Sequence, residues 1–144
     1  MSEAQMILGI GTDIIEIARF TKEHIPRFMD RVFTAQEQQY LQNKGAASMA
    51  GLFAAKEAIV KALGTGFSGF WPCDAEIMHD SAGKPYGVLH GKAAKLAKEQ
   101  VRRCRCKKKP RRLRYRRGYS IHVSISHSNE MAAATAIVLA NRLH

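Results

Sequence analysis

Three side chains in this sequence could perform chemistry together: Asp13, Glu57 and Lys61. Glu57 and Lys61 are four residues apart in a stretch rich in strong helix formers, so they share one helix face, one turn from each other. Most pairs of this kind only support the helix, by a few tenths of a kcal/mol. Here the helix runs into residues 64–66, Gly-Thr-Gly, where glycine permits a left-handed cap and lets a ligand approach the backbone. A carboxylate, an amine and an open backbone in this arrangement could bind a metal ion and a phosphate group.

Asp13 would add a second carboxylate. It follows the apolar run at residues 6–12, which predicts a first strand, and it precedes residues 14–20, whose spacing predicts an amphipathic helix. Asp13 could therefore be only the N-cap of that helix. Mg²⁺ typically takes one or two protein carboxylates and completes its shell with water and substrate phosphates, and Lys61 could meet a phosphate oxygen as a point charge. The residues alone do not establish that Asp13 and Glu57 meet in space.

The remaining elements predict the fold class. Helical periodicity and caps predict three further helices, at residues 34–43, 46–63 and 91–100. Apolar runs bounded by turn residues predict four further strands, at residues 75–79, 85–90, 120–126 and 131–139. This order predicts an α+β fold with a small, largely antiparallel sheet packed against a long central helix.

Length and composition fit a single globular domain over residues 1–144. No stretch of ~18 apolar residues occurs and the N-terminus does not resemble a signal peptide, so we expect no membrane span and a cytoplasmic location. The three cysteines, Cys73, Cys104 and Cys106, have no C-x-x-C spacing. We therefore expect neither a disulfide framework nor a structural zinc site.

The net charge of +11 comes from one segment. Eleven basic residues and no acidic residue lie within residues 102–117, which leaves 12 of the 23 Lys and Arg residues to balance the 12 Asp and Glu residues. One alternative is therefore a small nucleic-acid-binding protein that uses this segment. Against it, the segment has a single aromatic residue, Tyr115, and no recognisable binding motif. We do not expect nucleic acid to be the partner.

Two longer motifs carry a family resemblance. Residues 9–20 read GIGTDIIEIARF and residues 53–66 read FAAKEAIVKALGTG. Together with residues 83–86 and 122–127, they resemble the motifs of the holo-acyl-carrier-protein synthases, which implies the phosphopantetheinyl transferase fold. The resemblance covers nearly the whole chain except about residues 101–118, which look like a basic loop insertion. We expect this insertion to be mobile and dispensable for chemistry, although it could speed association with an acidic partner.

The resemblance implies a reaction and roles for the three side chains. The family transfers the 4′-phosphopantetheine arm of coenzyme A to a serine of apo acyl carrier protein, releases adenosine 3′,5′-bisphosphate and serves fatty acid biosynthesis. It implies that Asp13 and Glu57 hold Mg²⁺ on the pyrophosphate and that Lys61 offsets its charge. The serine proton would pass either to a water oriented by Asp13 or directly to Glu57.

The resemblance also implies binding surfaces. Lys44 and His127 match positions that contact the nucleotide of coenzyme A, and Gly64 matches a backbone contact. Leu52 stands where the family often has a basic residue, which puts one contact to the 3′-phosphate in doubt. The family forms compact homotrimers with active sites between subunits. Three arginines match its docking surface for the acidic carrier protein: Arg19, Arg27 and Arg31.

Overall fold

The computed structural model describes residues 5–21, 25–104 and 118–141. The described strands are β1 (Met6–Glu16), β2 (Ala75–His79), β3 (Pro85–Leu89), β4 (Gly118–His127) and β5 (Met131–Asn141). They form one antiparallel sheet in the spatial order β1–β5–β4–β3–β2. The described helices are α1 (Ile25–Val32), α2 (Ala35–Leu41), α3 (Ala46–Leu63) and α4 (Gly91–Cys104). Two short 3-10 turns complete the elements, at Ile17–Phe20 and Pro72–Asp74.

Helix α3 lies against one face of this sheet and is buried on most of its sides, with Ala54 and Ile59 fully buried. Strand β1 approaches the helix too closely for side chains. A Cβ atom on Gly9 would lie 1.9 Å from the carbonyl oxygen of Ala62, and one on Gly11 would lie 1.9 Å from that of Ala58. The two glycines therefore set the distance between the strand and the last two turns of the helix.

The predicted fold class is confirmed. The structure has the α+β architecture with an antiparallel sheet on a long central helix, and α3 has the predicted bounds. The helix predicted from residue 34 is present as α2 and begins with a capping box, because Thr34 Oγ1 accepts from the Glu37 backbone and Glu37 Oε2 accepts from the Thr34 backbone. The alanine-rich residues 131–139 are a strand, as predicted, since β5 pairs with both β1 and β4.

The predicted helix after Asp13 is wrong. Strand β1 continues through Glu16, and Asp13 pairs with Ala134 of β5 in the middle of the ladder. Ile14 is 65% exposed whereas Ile15 is 5% exposed, which is the alternation of a strand. Only Ile17–Phe20 is helical, as a 3-10 turn. Asp13 is therefore not an N-cap, because pairing along the full length of β5 satisfies the backbone in an extended conformation.

A buried ion pair ties α2 and α3 to the edge of the sheet. Lys56 is fully buried, and its Nζ lies 2.8 Å from Glu37 Oε2 and donates to the carbonyl oxygen of Ala75 at 2.8 Å. The other carboxylate oxygen of Glu37 accepts from the Ile77 backbone at 2.7 Å. Both charges thus have partners, as buried charges require.

The part of the chain that the structure describes contains no helix long and apolar enough to cross a membrane. Cys73 and Cys104 are free thiols. Cys106 and the basic residues 105–117 lie outside the described ranges. Arg102 and Arg103 belong to the last turn of α4, which continues past the predicted end at residue 100.

Candidate active site

The structure brings Asp13, Lys61 and Glu57 together. Asp13 follows the two glycines of β1 that touch α3, so its side chain meets the C-terminal half of that helix. Lys61 Nζ donates to Asp13 Oδ1 at 2.9 Å and to the carbonyl oxygen of Thr12 at 3.0 Å. Glu57 lies one turn earlier on the same helix, and the charges of Asp13 and Lys61 both act on it. The hypothesis that these three residues share one site is consistent with this geometry.

The electrostatics of the site leave its negative charge incompletely balanced. Partial burial raises the pKa of Glu57, the neighbouring Asp13 raises this pKa further, and Lys61 opposes the shift. The hydrogen bond to Asp13 raises the pKa of Lys61, which therefore stays a cation. Since the side chain of Lys61 is 53% exposed, water screens this ion pair and its contribution to stability is small. The arrangement is better suited to binding than to holding the fold together.

The donor set fits a hard cation together with a phosphate. Within the described part of the chain, the Glu57 carboxylate accepts no hydrogen bond. No group of three or more His, Cys, Asp or Glu side chains among the described residues could hold a metal alone. An ion between Asp13 and Glu57 would therefore need oxygen ligands from water or a substrate, which is the usual coordination of Mg²⁺. Lys61 uses two of its three N–H donors, so one remains for a phosphate oxygen.

The helix ends in an open glycine turn, as the sequence predicts. Gly64 is left-handed, with φ 79°, and its N–H donates to the carbonyl oxygens of Val60 and Lys61 at 3.1 Å. Gly66 is also left-handed, with φ 59°. No atom lies within 4 Å of the place where a Cβ would stand on either glycine. The turn thus exposes its backbone, beginning three residues after Lys61 on the chain.

Two of the residues expected to contact coenzyme A have neighbours other than the three charged groups. Lys44 Nζ is 4.9 Å from the centroid of the Tyr40 ring, which stacks on His79 at 4.1 Å. Burial and the charge of Lys44 lower the pKa of His79. His127 is exposed near the end of β4, with its Nδ1 3.3 Å from the carbonyl oxygen of Ser128. No hydrogen bond or ion pair among the described residues joins Lys44 or His127 to Asp13.

Leu52 is 2% exposed and belongs to the hydrophobic core. A side chain in this position does not reach solvent, so Leu52 offers no contact to a phosphate group. Where the family often has a basic residue, this chain therefore has a side chain that packs in the core.

The three arginines expected to bind a carrier protein are exposed. Arg19 lies in the 3-10 turn and not in the predicted helix, while Arg27 and Arg31 lie on α1. The ring of Phe28 on α1 packs against Phe20 at the end of the 3-10 turn, with centroids 5.9 Å apart. The two basic elements are therefore joined by an aromatic contact.

The sheet carries an apolar surface on the side away from α3. Ile10 is 60% exposed and Ile14 is 65% exposed, and they pair with Ile137 and Ala133 of β5. On β1, these residues alternate with the glycines that face the helix. The exposed isoleucines of β1 thus lie beside half-buried apolar residues of β5, and such a patch is typical of a contact with another protein chain.

Sequence reasoning missed two contacts at the site. The carbonyl group of Thr12 accepts from Lys61, and a backbone acceptor leaves no signal in the sequence. Gln100 on α4 donates to the carbonyl oxygen of Leu63 at 2.6 Å, at the end of α3. Gln100 is a polar residue beside Ala97 and Val101, which are buried, and this indicates a hydrogen bond to a neighbouring element. The sequence does not indicate which group accepts it.

Comparison with known proteins agrees with these features. Residues 9–136 match the family model described as the 4′-phosphopantetheinyl transferase superfamily. The holo-(acyl-carrier-protein) synthase of Alkaliphilus metalliredigens is 47% identical over 137 residues, covering 92% of this chain and 98% of that protein. A holo-(acyl-carrier-protein) synthase from Bacillus anthracis in complex with CoA (3′,5′-ADP) has a TM-score of 0.69 and 33% identity, covering 94% of this chain and 99% of that one. The Helicobacter pylori holo-(acyl-carrier-protein) synthase in complex with coenzyme A has a TM-score of 0.67 and 28% identity, covering 90% of this chain and 98% of that one.

Proposed function

Since the chain belongs to the 4′-phosphopantetheinyl transferase superfamily, we propose that it transfers the 4′-phosphopantetheine arm of coenzyme A to a serine of an apo acyl carrier protein, releasing adenosine 3′,5′-bisphosphate. The resemblance to the holo-acyl-carrier-protein synthases is confirmed by the relatives, which align over nearly their whole length. The observation that carries the proposal is the meeting of Asp13, Glu57 and Lys61 beside an open glycine turn. The modified carrier would serve fatty acid biosynthesis, in the cytoplasm.

The test is the intact mass of an apo acyl carrier protein incubated with this chain, coenzyme A and Mg²⁺, with and without a chelator. We expect the carrier to gain the mass of one phosphopantetheine group only when metal is available. No gain, together with salt-sensitive retention of RNA or DNA by the chain, would favour the nucleic-acid-binding alternative instead.

Asp13 and Glu57 fit Mg²⁺ as its protein ligands. Burial and the nearby Asp13 carboxylate disfavour the charged form of Glu57, so a cation between the two carboxylates would relieve the cost of ionising Glu57. When bound, the ion would neutralise charge on the pyrophosphate of coenzyme A as its phosphoanhydride bond breaks. The need for further ligands from water and substrate agrees with the two-carboxylate donor set.

Lys61 would bind a phosphate of the coenzyme A pyrophosphate. This is either the phosphate that is transferred with the pantetheine arm or the one that leaves with the nucleotide. Its hydrogen bonds to Asp13 and to the Thr12 carbonyl fix the ammonium group, and its remaining N–H is available to a phosphate oxygen. Because this donor is already in place, it costs little reorganisation when charge develops during transfer.

The hydroxyl of the carrier serine is the nucleophile, so this chain has only to accept its proton. Two routes are open: direct transfer to Glu57, or transfer to a water oriented by Asp13. Burial raises the pKa of Glu57 in the metal-free chain, whereas a cation bound to its carboxylate would lower that pKa. The two routes therefore both stay open.

Lys44, Gly64 and His127 would bind the nucleotide half of coenzyme A in a homotrimer whose sites lie between subunits. In one chain, Gly64 lies beside the charged residues, whereas Lys44 and His127 have other neighbours. A second subunit could supply the missing contacts. The exposed isoleucines on the outer face of β1 support such an assembly, because burying them between subunits would remove apolar surface from water.

The carrier would dock on Arg19, Arg27 and Arg31. All three are exposed cations on adjoining elements, and an acidic partner would be attracted to them over a distance set by the ionic strength. The attraction should act mainly on the rate of association.

The insertion at about residues 101–118 would not be needed for the transfer. Its first residues, 101–104, continue α4, and all of the proposed metal, phosphate and carrier contacts lie elsewhere in the sequence. Deleting residues 103–117 should leave turnover intact, and loss of turnover or of the trimer would contradict this proposal.

A further inference from the structure

The C-terminal end of α3 is held by contacts to each of its last carbonyl groups. The last four carbonyls of a helix have no partner within the helix and must find one elsewhere. Those of Val60 and Lys61 accept from the Gly64 N–H, and that of Ala62 lies against Gly9 of β1. The carbonyl of Leu63 accepts from a side chain of another element, namely Gln100 on α4.

Gln100 is suited to this contact by its place on α4. The helix packs on β4 and on the 3-10 turn Pro72–Asp74, with Ala93 and Ala97 fully buried. The Gln100 amide then reaches the helix end with a bond of 2.6 Å. It lies at the negative end of the α3 dipole, where a hydrogen-bond donor is favoured.

The turn after Leu63 has few restraints of its own. The Gly64 N–H donates to the end of α3 and Thr65 Oγ1 donates to the Gly66 carbonyl oxygen at 3.1 Å, but both glycines are left-handed and have open space where side chains would pack. Glycine also loses more conformational entropy on ordering than any other residue. The position of the turn therefore depends on how Leu63 is held, by the burial of its side chain in the core and by the hydrogen bond from Gln100 to its carbonyl oxygen.

We propose that Gln100 is a positioning residue for coenzyme A, whose hydrogen bond to Leu63 keeps the Gly64–Gly66 turn in the geometry that receives the nucleotide. This inference rests on the proposed function, because it assigns a role to the same site. The reacting groups have separate anchors, since Asp13 is held by the β1–β5 ladder and Lys61 by Asp13 and the Thr12 carbonyl. Loss of the Gln100 bond should therefore weaken coenzyme A binding and spare the chemical step.

The test compares three variants of Gln100 in the carrier-modification assay. Gln100→Met keeps the length of the side chain and removes the donor, Gln100→Glu places an acceptor against the carbonyl, and Gln100→Lys restores a donor. We expect the KM for coenzyme A to rise about fivefold in the Met variant, which corresponds to about 1 kcal/mol for one hydrogen bond. The Glu variant should show a larger rise and the Lys variant a smaller one, with kcat within about twofold of the unaltered chain throughout.

Glu99→Gln is the matched control, because Glu99 is the exposed neighbour on the same helix and forms no hydrogen bond or ion pair with α3 among the described residues. Its KM for coenzyme A should not change. The inference would be wrong if Gln100→Met had the same KM for coenzyme A as this control. It would also be wrong if kcat and melting temperature fell and Gln100→Lys did not restore them. In both cases, transfer by the unaltered chain would still support the proposed function. Absence of transfer by the unaltered chain would overturn both.

Discussion

Replacing Gly11 by alanine should separate the two carboxylates of the site without touching either. The new Cβ would lie 1.9 Å from the carbonyl oxygen of Ala58 and 2.6 Å from the backbone nitrogen of Ala62. Both neighbours are helix backbone and cannot rotate away. Strand and helix must then separate by about 1.5 Å to reach an ordinary contact, at a cost of about 1–3 kcal/mol. Asp13, two residues further on, would move with the strand.

The consequence is a loss of catalysis in protein that is still folded. The 2.9 Å bond between Lys61 and Asp13 would break at such a separation, and the distance between Asp13 and Glu57 would grow. Misplacing reacting groups by about 1 Å can lower a rate about 100-fold. We therefore expect Gly11→Ala to lower kcat about 100-fold at saturating coenzyme A and carrier. The assay is carrier mass against time, at a temperature where circular dichroism shows the variant folded.

Gly45→Ala is the matched control. Gly45 precedes α3, has an ordinary φ of −89° and has no atom within 4 Å of a built Cβ, so alanine fits there. This variant should keep kcat within about twofold of the unaltered chain. If folded Gly11→Ala also kept its full kcat, the close contact of β1 with α3 would not be what places Asp13, and the reasoning would be wrong.

Three further predictions test other parts of the structure. Glu57→Gln should abolish most of the Mg²⁺-dependent turnover, by about 100-fold or more in kcat, with an unchanged melting temperature; full activity in the mass assay would refute its role. Lys56→Met should destabilise the fold by about 3–5 kcal/mol in urea unfolding, because it leaves Glu37 buried without its cation, and a change below about 1 kcal/mol would contradict this. Ile14→Glu should convert the proposed trimer to monomers in light scattering and lower activity with it, whereas an unchanged mass would exclude this face as the interface.

Helix α3 could be predicted from the sequence to the residue because its signals are local. Strong helix formers fill residues 46–63, and Gly64 supplies the left-handed cap that ends the helix. The capping box of α2 is equally local, since Thr34 and Glu37 are three residues apart. Such features depend on neighbours along the chain and need no knowledge of the fold.

The buried pair of Lys56 and Glu37 could not be predicted in this way. Lysine and glutamate are usually exposed, and nothing in their spacing marks the two as buried. Their burial depends on the Ala75 carbonyl and the Ile77 N–H at the edge of β2, which accept and donate the remaining hydrogen bonds. Only the packing of three elements makes these charges tolerable in the interior.

The sequence does contain a pattern that places Asp13 beside α3, but the pattern appears only if residues 13–16 are read as a strand and not as a helix. Gly9, Gly11, Asp13 and Ile15 recur at every second residue, so in an extended strand they share one face. The structure shows this face turned toward α3, with the glycines in contact and Ile15 buried. The predicted strand ended four residues too early. With the strand continued to Glu16, the two glycines would mark the face that packs on a helix, and Asp13 on the same face would be predicted beside α3. The helical interpretation broke this alternation, which is why the approach of Asp13 to Lys61 needed the structure.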